Sequence, residues 1–215
     1  MHSDVLVVAY PGRLPRVQGG GAVAARCTAF DTVHLVGAAA TPLGGDTIVI
    51  RVIVEPGGRL RLRSAAASVA LPGRKTRTSQ TRWEIETAGS LDIDLEPTVV
   101  AADARHLSSG SLILRDDARV RFRERVQIGR CDEADGFWSG SLHADRDGRP
   151  LLRHRVELGA GSLADDAIDA PRAAINELRY PADSFEDIPI DAGATVLRLA
   201  DGGILATWQA DRLIG

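Results

Sequence analysis

The feature that most constrains this chain is a recurrence of about thirty residues. Four times, a turn signal is followed by a segment in which apolar and charged residues alternate. Pro56-Gly57-Gly58 leads into Leu60 within RLRLRS (59–64), and Ala88-Gly89-Ser90 leads into Leu91 within LDIDL (91–95). Asp116-Asp117-Ala118 leads into Val120 within RVRFRERVQI (119–128), and Asp147-Gly148 leads into Leu151 within LLRHRVEL (151–158). The starts at 60, 91, 120 and 151 are spaced by 31, 29 and 31 residues. Period-two alternation is the signature of a strand with one buried face. A fixed spacing of this size predicts stacked coils, each burying its apolar face against the next. A solenoid-like β-stack is therefore favoured over a sandwich of hairpins. The segment TIVIRVIV (47–54), apolar almost throughout, fits a strand covered on both sides.

The chain has 215 residues, 44% of them hydrophobic and only 4% aromatic, so Val, Ile, Leu and Ala must fill the core. One domain over residues 1–215 is expected. Two departures from β-structure are predicted, giving a mainly β fold with about two short α-helices. Ser162 and Asp165 have capping-box spacing, and Asp169-Ala170-Pro171 then introduces the helix formers of 172–179. Residues 205–213 form the second candidate. The longest apolar runs fall far short of the ~20 residues of a membrane span, and the first lacks the basic flank of a secretion signal. A soluble, cytoplasmic protein without a membrane partner is expected. Cys27 and Cys131 lie 104 positions apart, which indicates neither a zinc cage nor a disulfide framework.

The net charge of −3 argues against nucleic acid as the main partner, and an Arg-rich binder of that kind would lack aromatic stacking platforms here. The charge is unevenly spread along the chain. Residues 51–82 hold eight cations against Glu55 alone, a net of +7, and residues 157–187 hold eight acids against Arg172 and Arg179, a net of −6. These stretches read either as docking surfaces for proteins, with Arg59, Arg61 and Arg63 as candidate contacts, or as solvated outer faces.

Catalytic motifs are missing: there is no G-x-S-x-G, P-loop, Rossmann fingerprint or H-E-x-x-H, and Gly19-Gly20-Gly21 reads as a flexible loop. His2, His34, His106, His143 and His154 show no metal-binding spacing. Two residues break their local pattern. Within 119–128, Glu124 falls on the inward face with Val120, Phe122, Val126 and Ile128. A lone ionised carboxylate in a dry interior is prohibitively costly, so Glu124 must be paired, protonated or wet. The alternatives are a bulge or buried ion pair on one side and a polar cavity or channel on the other. His154 shares an inward face with Leu152, Val156 and Leu158. Glu and His can both hold a divalent first-row metal loosely.

An ordered set of segments resembles the urease accessory protein family UreD, also called UreH, particularly its short actinobacterial-type members. They are Pro42-Leu43-Gly44-Gly45-Asp46, Glu55-Pro56-Gly57, Ser64-Ala65-Ala66-Ala67-Ser68, Glu96-Pro97-Thr98-Val99-Val100, and Glu124-Arg125-Val126-Gln127-Ile128-Gly129-Arg130. Gly136-Phe137 with Gly140 and Asp147-Gly148-Arg149-Pro150-Leu151-Leu152 follow, so the likeness runs from about Val33 to Leu158. The resemblance implies a helix-like stack of strands with two α-helices. It further implies a non-catalytic scaffold that binds apo-urease and UreF, with UreG recruited through UreF. Such a scaffold assists nickel insertion through an internal tunnel, with nickel in transit and no tightly bound cofactor. By position, Gly44, Gly45 and Asp46 match the family's Gly-Gly-Asp, Ser68 its Ser/Thr, Glu124 its inward glutamate, and Gly129-Arg130 its Gly-Arg pair. Three departures stand out. Residues 37–41 read GAAAT where longer members have His-Pro-Pro-Gly-Gly, Val69 replaces a usual lysine, and Glu96-Pro97 replaces a glutamine-glutamate pair. His154, where many members have glutamate, is a fourth, so the lining of a metal path would differ from that of the longer members; Asp46, Glu124 and His154 are the expected transit ligands. The rival from another class is a β-fold hydrolase with Glu124 as general base and His154 as its partner.

Overall fold

A computed structural model describes residues 1–133, 135–165 and 170–213. Seventeen strands account for its regular structure. They are β1 (His2–Ala9), β2 (Arg16–Gly20), β3 (Val23–Ala29), β4 (Thr32–Gly37), β5 (Thr47–Val54), β6 (Arg59–Ser64), β7 (Ser68–Ala70), β8 (Thr78–Thr87) and β9 (Ser90–Asp94). Then follow β10 (Thr98–Val100), β11 (Arg105–Leu114), β12 (Arg119–Ile128), β13 (Phe137–Arg146), β14 (Arg149–Gly159), β15 (Ala173–Tyr180), β16 (Thr195–Arg198) and β17 (Ile204–Ala210). One sheet has the order β14-β13-β11-β8-β5-β1-β2, and the facing sheet β16-β17-β15-β12-β9-β6-β4-β3. Successive strands cross from one sheet to the other, so β5, β8, β11 and β13 stack in parallel on one wall and β6, β9 and β12 on the other. Short β7 and β10 pair beside β12 and form a third side. This is the stacked, solenoid-like arrangement that the recurrence predicts.

The recurrence is visible as rows of side chains. Leu60, Leu91 and Val120 stand in register and are almost completely buried. On the opposite wall Val52, Ile85, Leu112 and Ala144 form a matching row. Each Val, Leu or Ile in these rows contributes roughly 1.5–3 kcal/mol on burial, and Ala144 less. The turns stack as well: Ser90 N–H donates to Gly58 O and Arg119 N–H to Gly89 O, each at 2.9 Å.

The fourth start does not extend the stack on its own wall. Leu151 belongs to β14, which runs antiparallel to β13 in the other sheet. Asp147 and Gly148 both have positive φ (47° and 77°), the geometry of a two-residue hairpin loop whose twist matches the flanking strands. A hairpin and a coil both place an alternating strand after a turn, and the short loop decides between them.

Neither predicted helix forms, and no helix occurs among the described residues. The candidate at 172–179 is β15, and all eight of its residues are buried. It pairs with β12 on one side and β17 on the other, and these tertiary pairings override helix propensity. Ser162 and Asp165 make an isolated turn, with Asp165 N–H donating to Ser162 O at 3.1 Å; Asp169 lies outside the described residues. The candidate at 205–213 is largely β17. No helix of the described residues is long and apolar enough to cross a membrane.

The loop after β15 explains why that strand is buried on its outer face too. Arg179 donates to the carbonyls of Phe185 (3.0 Å) and Pro189 (3.3 Å), and Arg123 to the Asp191 carboxylate (2.7 Å). Beneath this strap Arg121, 2% exposed at its side chain, meets Asp92 (3.0 Å), Asp94 (3.1 Å) and Glu177 (3.0 Å). Arg121, Arg123 and Arg125 of β12 thus lie in a largely buried ionic layer, and only Arg119 at the start of the strand is exposed.

Candidate functional site

The site lies between the two walls, where β11 faces β12. Alternation sends Arg121, Arg123 and Arg125 towards the ionic layer and Phe122 and Glu124 inward, although Arg123 and Arg125 also touch the larger cavity beside Glu124. Glu124 is half-buried, and Ser108 Oγ of the opposite wall donates to its Oε1 at 2.6 Å. Burial pushes this carboxyl up to about 7, and the Ser108 bond, which favours the charged form, opposes that only in part. Among the described residues no arginine pairs with it, so the buried-pair alternative does not apply there.

Two cavities meet at this residue. The larger, of about 510 Å³, is walled by Ile48, Ile50 and Trp83 on one side and Ile93 and Phe122 on the other, with the segments 39–42 and 64–69 at its rim. The smaller, about 10 Å³ and so the size of one water, is lined by Trp138, Leu142, His154 and Asn176. Glu124 and Phe122 line both. Trp83 packs edge-on against Phe122, ring centroids 5.7 Å apart, and stiffens this neck.

His154 shares the smaller cavity with Glu124, but its Nε2 faces Asn176 Oδ1 at 3.2 Å, and Asn176 is the register neighbour of Glu124. Glu124 and His154 do not hydrogen-bond to one another, so the acid–base pair of the hydrolase reading is not assembled.

Asp46 is buried outside both linings. Its carboxylate accepts from the Met1 amino group (2.6 Å), Leu43 N–H (2.9 Å) and Thr41 Oγ (3.0 Å). Burial alone would raise its pKa, and these three donors together hold it below the usual carboxylate value. Asp46 thereby clamps the turn that carries Thr41 and Pro42 at the cavity rim. Gly44 permits that turn to pack: a Cβ there would stand 2.0 Å from Thr76 O and 2.4 Å from Gly73 N, while Gly45 adopts a φ of 97°. Ser68 lies on the rim itself, its N–H bonded to Pro97 O at 3.0 Å.

Gly129 and Arg130 line a separate surface groove of about 660 Å³ beside Val69 and Val99. A Cβ at Gly129 would stand 2.0 Å from Glu133 O. Arg130 grips the Glu133 carboxylate and, with the N–H groups of Ala102 and Arg130, holds it down to about 2. On β6, Arg59 and Arg61 are exposed on the outer face, whereas Arg63 is bound to Asp92, donating to its carbonyl at 2.9 Å and pairing with its carboxylate.

Sequence reasoning passed over Ser79, Thr81 and Ser108, and gave His106 no role in the site. His106 is buried, with Nδ1 2.9 Å from Ser79 Oγ and Nε2 3.3 Å from Thr81 Oγ1, and burial pushes its pKa down to about 4. The signal was present: His106, Ser108 and Gly110 precede Leu112 and Leu114 on one face of β11, the pattern break that exposed Glu124 on β12. Among the described residues, no three His, Cys, Asp or Glu side chains converge as a metal cage. The boundary between the two cavities offers single, separated polar groups instead.

A family model described as "UreD urease accessory protein" matches residues 20–206. Urease accessory protein UreD 1 of Saccharopolyspora erythraea is 43% identical over 63% of this chain and 54% of its own length. The UreD protein of Parafrankia sp. is 34% identical over 92% of this chain and 74% of its own, and that of Frankia alni 40% over 84% and 68%. The chain thus spans about half to three quarters of these relatives.

Proposed function

We propose that this chain, which belongs to the UreD family of urease accessory proteins, acts as a single-domain scaffold for urease maturation and catalyses no reaction itself. In this reading it binds apo-urease on one surface and UreF on another, recruits UreG through UreF, and gives nickel an enclosed route to the urease active site. Nickel is cargo, and no cofactor is held tightly.

The observation that supports the route is the position of Glu124, common to the linings of both cavities. A carboxylate with one serine partner keeps lone pairs free for a cation or its water shell. Sites that must release an ion need few and weak ligands, and a tight cage would trap it. His154 is the next station beyond the neck. Asp46, Gly44 and Gly45 shape the rim, where Ser68 lies, and Gly129 and Arg130 support the far end of β12. Of the three arginines of β6, Arg59 and Arg61 are the ones exposed to a partner.

The test is co-expression of the tagged chain with urease subunits, UreF and UreG, comparing wild type with Glu124→Ala. The expected result is an intact complex with reduced urease activation. Full activation by the variant would remove the route, and loss of the complex would assign Glu124 a structural role.

A further inference from the structure

The large cavity carries a second polar group, on the wall opposite Glu124. β8 and β11 lie in parallel register, with Thr81 beside Ser108 and Ser79 beside His106. Four polar side chains therefore share one inward patch of an otherwise aliphatic wall. The imidazole has a hydroxyl on each nitrogen, Ser79 Oγ at 2.9 Å and Thr81 Oγ1 at 3.3 Å. A neutral imidazole so engaged has no lone pair left for a metal. It can, however, fix the Thr81 hydroxyl, which would otherwise rotate freely at the cavity surface. Ser108 is fixed in the same way by Glu124, at 2.6 Å.

We propose that His106 is a positioning residue that orients Thr81, so that Thr81, Ser108 and Glu124 present one all-oxygen row to a divalent cation passing the neck. This rests on the passage reading above. The row follows the register: Thr81 and Ser108 are neighbours on one wall, and Glu124 reaches Ser108 from the other. Hydroxyl and carboxylate oxygens accept hydrogen bonds from the waters of a hydrated ion, so they steer it without stripping its shell. They also bind a first-row divalent ion less tightly than free imidazole or thiolate would. A histidine withheld from the ion thus favours release.

The experiment uses the full chain in an activation assay with urease, UreF and UreG, and reads the Ni²⁺ concentration that gives half-maximal activation. Thr81→Val exchanges a hydroxyl for a methyl at constant shape. His106→Leu removes the positioning group, and His106→Gln keeps a donor and an acceptor. Thr81→Val and His106→Leu should each raise the half-activating Ni²⁺ concentration about fivefold, the factor carried by one net hydrogen bond. The double variant should be no worse than either single, because both remove the same contact. His106→Gln should recover most of the wild-type value.

An unchanged Ni²⁺ requirement in Thr81→Val, or additive losses in the double variant, would overturn the proposal. If His106→Leu fails to co-purify with its partners, Thr81→Val alone decides. Glu124→Ala separates the two levels of the argument. If it is impaired while Thr81→Val is not, only the positioning role falls; if neither is impaired, the passage itself is wrong.

Discussion

Ser108 and Glu124 join the two walls of the stack through a single hydrogen bond, 2.6 Å from oxygen to oxygen. The serine arrives from β11 and the glutamate from β12, sixteen residues apart across one turn. The bond also favours the ionised form in a place where burial opposes it.

That opposition predicts an unusual pH dependence of stability. The Glu124 carboxyl is raised from 4.5 to about 7 in the folded chain. Between these values the unfolded chain has already released the proton and the folded chain still holds it. Stability should therefore fall as pH rises through this window and level off above it. Glu124→Gln, which cannot ionise, should remove the fall and leave the variant up to about 3 kcal/mol more stable than wild type at pH 8. Urea denaturation of both proteins from pH 4 to 8 measures this, and parallel curves would contradict it.

Asp46 should behave in the opposite sense. Its carboxyl lies below the ordinary value because Leu43 N–H, Thr41 and the Met1 amino group outweigh burial. Its contribution is present above the unfolded value of 3.8 and is lost as pH falls further. Asp46→Ala should cost about 1–3 kcal/mol at neutral pH, chiefly through the unmet donors of the 41–46 turn. Chemical denaturation at pH 7 gives the size, and a variant as stable as wild type would show that the clamp is idle.

Arg121 is the side chain whose loss the ionic layer tolerates least. Removing it leaves Asp92, Asp94 and Glu177 crowded without their central cation. Arg121→Ala should destabilise by about 3–5 kcal/mol. Arg61→Ala, on the exposed face with Asp31 no nearer than 3.8 Å, should change stability by less than about 0.5 kcal/mol. Paired denaturation curves give both values, and similar losses would mean that the layer is not insulated from water.

Arg59 and Arg61 invite a test of docking free of that complication. Reversing both to glutamate should leave the fold intact, because neither supports the core. It should weaken co-purification with one partner and spare the other, more so at low salt. Retention of both partners would remove this face from consideration.

The strands were largely legible because alternation survives in the sequence: Leu60, Leu91 and Val120 announce their row. Leu151 misled because an Asp-Gly hairpin produces the same local pattern as a coil. β15 misled because a strand covered on both faces loses its alternation and leaves only propensity to read. Glu124 was found because charge inside an apolar series is conspicuous, whereas Ser108 was missed because a small polar residue is less so, and His106 was weighed only for metal spacing and not against the apolar face of its strand.

Charge was read least well, for a geometric reason. In a stack, the neighbours of a side chain in space are about thirty positions away along the chain. Arg51 meets Glu84, Arg63 meets Asp92, and Arg115 meets Glu86. The excess of 51–82 is therefore partly cancelled by acids of the following coils, which a count along the sequence does not register.

The four-residue bend at 115–118 sets which chemistry faces inward. With a side-chain period of two, losing or gaining one residue there would exchange the carboxylate at 124 for the guanidinium groups on either side. On the passage reading proposed above, a neck lined by a carboxylate would then be lined by cations, with no residue of β12 substituted. Length at this bend thus sets the ionic sign of the interior, and on that same reading tolerated insertions belong elsewhere in the chain.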